Sequence, residues 1–372
     1  MRDSTTAATN VKISSGPGRK VLAGLAAIAI GGGASMTPSA SSAALPPITP
    51  VAGTEEVSQT TAEATVFFPN PVQDLGDTSL LNYNDLDYPA LAPAYRRRLL
   101  TELDGSGTLS GRYVVIKSNT GKAAVTVNGA FPAWHRDDER FEQVMAYYWL
   151  TESQHYLQYL GFGDDLRPVR NDKVYVRVNQ YGGWNAFYYD TGSRPTILLG
   201  KGGIDAGEDG EAIVHEYGHA VQAFQFGLPD KEVLAEIDAI AEGFSDYFAV
   251  TATLWKAGPG AIDDPGCWLD WISKAEAKQC IRRVDEDKHY PDDMIGKSHA
   301  DGEIWSSALW HIRSALGDDR LAGRIIIDAQ FDFAADESFH GGATKTIAAA
   351  LRLGGPTAAT AVQAAFADRG IG

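Results

Sequence analysis

The segment Gly210–Phe224 reads GEAIVHEYGHAVQAF and places His215 and His219 four residues apart, with Glu216 directly after the first histidine. Apolar residues recur at helical spacing, which predicts a helix over 210–226. Residues four apart share one face of a helix, so both imidazoles can reach one metal ion. The alternative is an ordinary polar helix face with two histidines, and the rest of the chain has to decide between the two interpretations.

A second segment, DAIAEGFSDYFA, contains a candidate for the third ligand that a metal site needs. The HExxH pattern is typical of zinc metalloproteases, with two histidine ligands and a glutamate as general base, and a catalytic zinc requires a third protein ligand. Glu242 and Asp246 lie four residues apart here, and a short connection between antiparallel helices would bring Glu242 toward His219. Asp246 would then accept the second ring N–H of a ligand histidine.

With HEYGH followed by EGFSD, the chain resembles the thermolysin-like and fungalysin-like metallopeptidases. The resemblance implies an α+β, two-lobed fold with a strand-rich N-terminal lobe, a helical C-terminal lobe and the active site between them. It also implies one catalytic Zn²⁺, with Glu216 as the base that activates a water molecule on the zinc and Asp246 as the carboxylate behind the ligands. The implied zinc ligands are His215, His219 and Glu242.

Three further segments are similar to the same families. NAFYY resembles their edge strand, in which Asn185 and Ala186 would hold an extended substrate peptide, although a plain hairpin strand is the alternative. CIRRVDEDKHY resembles the segment whose arginine grips the substrate carbonyl, with Arg282 as the match and Arg283 as a competitor. SHADGEIWSSALW places His299 ahead of a helix, where it would stabilise the oxyanion.

The sequence departs from the families in its oxyanion donors and in its acidic clusters. Residues 220–241 contain no tyrosine, so His299, Arg282 and Tyr290 are the candidates for the work that a tyrosine often does there. Many relatives also bind Ca²⁺. Only AIDDPG and YPDDM offer acidic pairs, and neither forms a clear calcium motif, so Ca²⁺ is possible without support from the sequence.

Hydrophobic patterning divides the chain into four parts. Residues 1–44 run from basic to apolar to small, as a secretory signal peptide does, with an uncleaved anchor or a tail as the alternative. Residues 45–130 form a leader and a β-rich segment. Residues 131–372 form the catalytic domain, with an N-lobe over 131–226 and a helical C-lobe over 227–372. Residues 173–200 alternate like adjacent antiparallel strands, and two Ala-rich helices are predicted near the C-terminus.

The composition of the chain limits the classes of partner that the protein can bind. The net charge of -16 argues against nucleic acid, and no second apolar run could span a bilayer, so we expect a protein that is exported and not inserted in a membrane. An oxidising environment favours a disulfide between Cys267 and Cys280, the only two cysteines, over two free thiols.

The sequence therefore predicts a secreted zinc metalloendopeptidase, a monomer that acts on peptides or proteins. Two other functions stay open. An aminopeptidase of the same HExxH class would be expected to carry a GxMEN strand, which the sequence lacks. A catalytically silent zinc-binding domain would not need Glu216.

Overall fold

The computed structural model describes residues 60–81, 84–118, 121–192, 194–227 and 235–372. The predicted signal peptide and nearly all of the leader lie outside the described residues. The strands and helices are β1 (Thr60–Val66), α1 (Pro71–Leu75), β2 (Arg96–Leu103), β3 (Val114–Ile116), α2 (Arg140–Leu160), β4 (Val174–Arg177), β5 (Ala186–Tyr189), β6 (Thr196–Leu199), α3 (Gly210–Gln225), α4 (Ala235–Ala257), β7 (Cys267–Trp268), β8 (Arg282–Arg283), α5 (Ser298–Leu316), α6 (Asp319–Ala329) and α7 (Phe339–Asp368). The fold is mixed α+β, as predicted, with most strands before α3 and most helices after it.

The main sheet has the strand order β3-β4-β6-β5 and ends at β5. Strands β3, β4 and β6 are parallel, whereas β5 runs antiparallel to β6. The prediction of adjacent antiparallel strands over 173–200 is therefore right for β5 and β6 and wrong for β4. After β4 the chain forms β5 at the edge of the sheet and then returns as β6, which lies between β4 and β5. The alternation of side chains along a strand does not specify which strands are neighbours in the sheet.

Helix α2 is the buried centre of the strand-rich half. Nearly all of its side chains are buried, and it ends at Gly161, which adopts the left-handed conformation that commonly terminates helices. Trp149 on α2 donates through its indole to the carbonyl of Phe67. Tyr217 on α3 donates to Gln154 at 2.7 Å, so α3 is fixed against α2 by a buried hydrogen bond as well as by packing.

Helices α3 and α4 are antiparallel neighbours, as the sequence predicts. Gly218 on α3 faces Ser245 on α4, and a Cβ on Gly218 would meet the Cα of Ser245 at 2.8 Å. Helix α5 packs on the other side of α4, where Gly243 faces the carbonyl of Gly302. Glycine at Gly218 and Gly243 permits these close approaches, because any side chain would force the helices apart.

The remaining elements agree with the sequence in part. Helix α7 is bent at Gly355–Pro356, which matches the two predicted Ala-rich helices. The disulfide predicted between Cys267 and Cys280 is present. Among the described residues, none of the helices is long and apolar enough to cross a membrane. The predicted start of the catalytic domain after residue 130, and the predicted division between its N-lobe and C-lobe after residue 226, remain predictions.

Candidate metal centre

A cleft of about 590 Å³ opens between the edge strand β5 and the helices α3 and α4. Strand β5 forms one wall, the two helices form the floor, and residues of β7, β8 and α5 close the opposite side. The cleft is lined by most of the residues singled out from the sequence: Asn185, Ala186, His215, Glu216, His219, Glu242, Arg282 and His299. Asp246 lies directly behind this surface and is buried.

His215, His219 and Glu242 turn one ligand atom each toward a common point. Their nitrogen and oxygen atoms all lie within 4.8 Å of one another. Glu242 Oε2 is 3.3 Å from His215 Nε2, and Glu242 Oε1 is 3.8 Å from His219 Nε2. Ligands bound at about 2.0–2.1 Å around a tetrahedral zinc lie about 3.3 Å from each other. The buried Oε2 of Glu242 makes no hydrogen bond to the described residues, so the donor set fits a zinc ion.

Two residues of α4 hold the histidine rings from behind. Asp246 Oδ1 lies 2.7 Å from His215 Nδ1, and Ser245 Oγ lies 3.2 Å from His219 Nδ1. Burial lowers the pKa of His215, but the nearby carboxylates of Asp246 and Glu242 outweigh burial and raise it to about 9. Burial lowers the pKa of His219 to about 4, so this ring is neutral near pH 7. The Nε2 atoms of both rings face Glu242, at 3.3 Å for His215 and 3.8 Å for His219.

Arg282, and not its competitor Arg283, belongs to this centre. Its Nε and Nη2 lie 2.6 and 2.8 Å from the two carboxylate oxygens of Asp246. Its guanidinium also stacks on Trp268, 4.1 Å from the ring centre. Arg283 points away and pairs with Asp264 and Asp285. The alternation of neighbouring residues along the short strand β8 separates the two arginines.

Glu216 is buried beside the three ligand candidates. Burial raises the pKa of its carboxyl to about 7, with the charge of Glu242 adding to the effect and that of His215 opposing it. The nearby backbone N–H of Tyr188 on β5 also opposes this rise in pKa. A carboxyl with a pKa near neutrality can both accept and return a proton.

Strand β5 is an edge strand, as the NAFYY segment predicts. Gly200 and Tyr181 both donate to the carbonyl of Asn185, so that carbonyl belongs to the interior of the sheet. The side chain of Asn185 accepts from the N–H of Ala186 at 3.0 Å. By the alternation of an antiparallel ladder, Ala186 and Tyr188 turn their backbone groups to the open edge. That edge faces the cleft.

His299 stands at the rim, and its position differs slightly from the prediction. Helix α5 begins at Ser298, so His299 lies within the first turn and not ahead of the helix. Its side chain is 64% exposed, and its Nε2 is 3.4 Å from Glu242 Oε2. Tyr290, the other candidate donor, bonds to Glu236 and does not line the cleft.

Sequence reasoning missed two residues of this site. Ser245 lies within the EGFSD segment three residues after Glu242, so helical spacing could have found it. Trp268 contacts both the His215 ring at 4.8 Å and the Arg282 guanidinium. Its sequence position next to Cys267 gives no signal for this role, because β7 reaches the site only through long-range packing.

No protein-family model matches the sequence, and no curated protein does. One solved structure that resembles the chain is described as the precursor of protealysin, a metalloproteinase from Serratia proteamaculans. The sequence identity is 18%, the TM-score is 0.49, and the match covers 71% of this chain and 90% of the other.

Proposed function

We propose that this chain is a zinc-dependent metalloendopeptidase that hydrolyses peptide bonds of peptides or proteins. The observation that carries the proposal is the meeting of His215, His219 and Glu242 within 4.8 Å, with the carboxylate of Glu216 beside them in a cleft walled by an open strand edge. A structural zinc site needs no such base and no such cleft.

In this proposal His215, His219 and Glu242 hold the ion. Bound zinc supplies Lewis acidity for a peptide carbonyl and for a water molecule. Asp246 accepts the Nδ1–H of His215 and so fixes the ring with Nε2 toward the centre, and Ser245 orients His219 in the same way. The edge of β5 binds the substrate as an added strand, which aligns a peptide carbonyl over the cleft floor.

Glu216 moves the proton. Its carboxylate accepts a proton from the attacking water, and the resulting carboxylic acid returns that proton to the nitrogen of the leaving amine. His299 donates from Nε2 to the developing oxyanion, and its exposed position lets it turn toward the substrate. Arg282, held by Asp246 and Trp268, supports the carbonyl group of the bound peptide.

The deciding experiment compares the purified protein with Glu216→Gln on a quenched protein substrate, with zinc content measured for both. We expect the variant to retain zinc and to lose hydrolysis, because the amide cannot accept the proton. Glu276→Gln, at an exposed site away from the cleft, is the matched control and should cleave like the wild type. A zinc-loaded Glu216→Gln protein that cleaves at the wild-type rate would exclude this role for Glu216.

Two variations of the assay separate the alternatives. Cleavage of amino-blocked peptides supports an endopeptidase, whereas activity restricted to peptides with a free amino terminus supports an aminopeptidase. A wild-type protein that holds one zinc ion and cleaves neither substrate would indicate a silent zinc-binding domain.

We further infer that the protein is secreted after removal of residues 1–44. The basic, apolar and small-residue order of that segment supports export, and the Cys267–Cys280 disulfide is the kind of bond that persists outside the cytosol. The N-terminal sequence of protein recovered from the medium tests this directly. A chain that keeps residues 1–44 and stays in the cells would contradict it.

A further inference from the structure

The disulfide between Cys267 and Cys280 joins the two strands that bring Trp268 and Arg282 to the cleft. Cys267 directly precedes Trp268 on β7, and Cys280 lies two residues before Arg282, the first residue of β8. In the antiparallel pairing of these strands, Trp268 lies opposite Arg282. The disulfide takes no part in the proposed hydrolysis, but it lies next to two side chains of the proposed site.

Trp268 restrains His215 and Arg282 in a direction that the carboxylate of Asp246 leaves free. Asp246 contacts both groups at their nitrogen atoms, at 2.7 Å from His215 Nδ1 and at 2.6 and 2.8 Å from two nitrogens of Arg282. A contact at a nitrogen still lets a planar group tilt about that contact. The ring centre of Trp268 lies 4.8 Å from that of His215 and 4.1 Å from the guanidinium carbon of Arg282. Contacts of this kind limit the tilt, so Trp268 positions both groups.

The disulfide is the strongest link between β7 and β8. Each strand has two residues, and a pair of strands this short is marginally stable in water. Strand β7 is anchored independently, because the N–H of Leu269 donates to Glu211 on α3 at 2.8 Å. Strand β8 follows the exposed residues 275–279 and is held by single hydrogen bonds, such as the one from the N–H of Arg283 to Glu303 at 3.1 Å. Without the covalent bond, β8 is therefore the strand that gains freedom to move.

We propose that the Cys267–Cys280 disulfide is a redox-sensitive clamp on the cleft. When the bond is formed, it ties β8 to the anchored strand β7 and keeps Arg282 against Trp268. When the bond is reduced, β8 loosens, and the chain binds zinc and substrate more weakly. The inference rests on the proposed peptidase function, and it limits full activity to oxidising surroundings.

Opening the clamp is a two-electron reduction by a dithiol, the kind of reductant that keeps cytosolic thiols reduced. The thiolate of the dithiol attacks one sulfur of the disulfide, and the other cysteine leaves as a thiolate and takes up a proton. Cys280 is half-buried and Cys267 is buried, so the attack falls on Cys280. The second thiol of the reductant then displaces Cys280. The dithiol ends as a disulfide, and the protein keeps two thiols.

Reduction of the full-length, zinc-loaded protein tests the opening by hydrogen–deuterium exchange. The amides of Ile281 and Val284 report on β8, because they donate to the carbonyls of Trp268 and Gly266 at 3.1 and 2.9 Å. We expect both amides to exchange about tenfold faster after reduction, as local opening of the strand pair requires. Equal exchange rates before and after complete reduction would overturn the proposal.

The combined variant Cys267→Ala and Cys280→Ala tests the consequence for the site without a reductant that could remove zinc. We expect zinc affinity to fall about tenfold, as is usual when a group that orients a metal ligand is disturbed. At saturating zinc, KM should rise about tenfold and kcat should change less, because Arg282 is proposed to contact the bound peptide. Unchanged zinc affinity in the variant would overturn the clamp, and the exchange experiment on the wild type decides the matter if the variant does not fold.

Zinc affinity and amide exchange do not depend on hydrolysis, so the two proposals can fail separately. A wild-type protein that binds zinc and cleaves no peptide would contradict the proposed function and leave both measurements of the clamp intact. A wild-type protein that cleaves peptides equally well in its oxidised and fully reduced forms would contradict the clamp alone.

Trp268→Leu identifies the side chain through which the clamp acts. It should lose as much zinc affinity as the alanine pair, and combining the changes should add little, because both release the same contact. Trp268→Phe keeps an aromatic face and should recover most of the affinity. Trp310→Leu is the matched control, since Trp310 also carries an arginine, Arg313, 4.8 Å from its ring centre but lies outside the cleft. Strictly additive losses, or equal losses in the leucine and phenylalanine variants, would overturn the proposal.

Discussion

Asp246 and Arg282 form a bidentate ion pair, with distances of 2.6 and 2.8 Å between the arginine nitrogens and the two carboxylate oxygens. The same carboxylate lies 2.7 Å from His215 Nδ1. One buried acid thus fixes both a proposed metal ligand and the arginine proposed to support the substrate. The metal centre and the substrate cleft are consequently coupled through a single side chain.

Asp246→Asn should weaken zinc binding by about 10- to 100-fold, the usual cost of losing a carboxylate that orients a ligand histidine. The amide can offer its oxygen to only one of the two partners and must turn its NH₂ group toward the other. Zinc affinity is measured by competition with a chromophoric chelator, and catalytic activity is measured separately at saturating zinc.

Asp264→Asn is the matched control for that experiment. Asp264 makes an equally close pair with Arg283, at 2.8 Å to each of two nitrogens, but that pair lies outside the cleft. Its loss should leave zinc affinity unchanged. Equal affinities for wild type and Asp246→Asn would show that Asp246 does not orient His215.

Gly243→Ala should destabilise the protein by about 1–3 kcal/mol, in the range found for overpacked cores. A Cβ on Gly243 would meet the carbonyl oxygen of Gly302 at 2.2 Å, and helix backbones cannot yield as a flexible side chain can. Urea unfolding measures the change. Gly182→Ala, where a Cβ would meet nothing within 4 Å, is the control, and equal stabilities of the two variants would contradict the close α4–α5 contact.

The local part of the site could be predicted from the sequence, and the long-range part could not. His215, Glu216 and His219 are related by helical spacing, as are Glu242 and Asp246, so their shared faces follow from local geometry. The choice of Arg282 over Arg283 depends on how β8 pairs with β7, which spacing alone left open. Trp268 and the parallel pairing of β4 with β6 depend on contacts between distant segments, for which this sequence offers no periodic signal.

The buried acids Asp209, Glu211 and Asp270 predict an inverse dependence of stability on pH. Burial first, and then the charge of Asp209, raises the pKa of Asp270 to about 8 from an ordinary value near 4. Between pH 4 and pH 8 the folded protein keeps a proton that the unfolded chain releases. This group's contribution to stability therefore falls as pH rises, by at most about 1.4 kcal/mol per pH unit.

Asp270→Asn tests that dependence, because the amide oxygen can accept the same 2.8 Å bond from Asn70 without a charge. The difference in unfolding free energy between variant and wild type is measured by urea denaturation at pH 5 and pH 8, without added calcium. The variant should gain stability relative to the wild type at pH 8. A difference that does not change with pH would mean that Asp270 ionises normally in the folded protein.

His299→Ala should reduce kcat by about 10²–10³-fold and leave KM nearly unchanged, as expected when a donor to the oxyanion is lost and ground-state binding is kept. The side chain is 64% exposed, so its removal should not alter folding. Its Nε2 lies 3.4 Å from Glu242, so steady-state kinetics are measured at saturating zinc, with His289→Ala, at a half-exposed surface histidine, as the control. If His299→Ala instead raised KM and kept kcat, His299 would bind the substrate in its ground state. The oxyanion would then depend on Arg282 and the ion alone, since Tyr290 bonds to Glu236 outside the cleft.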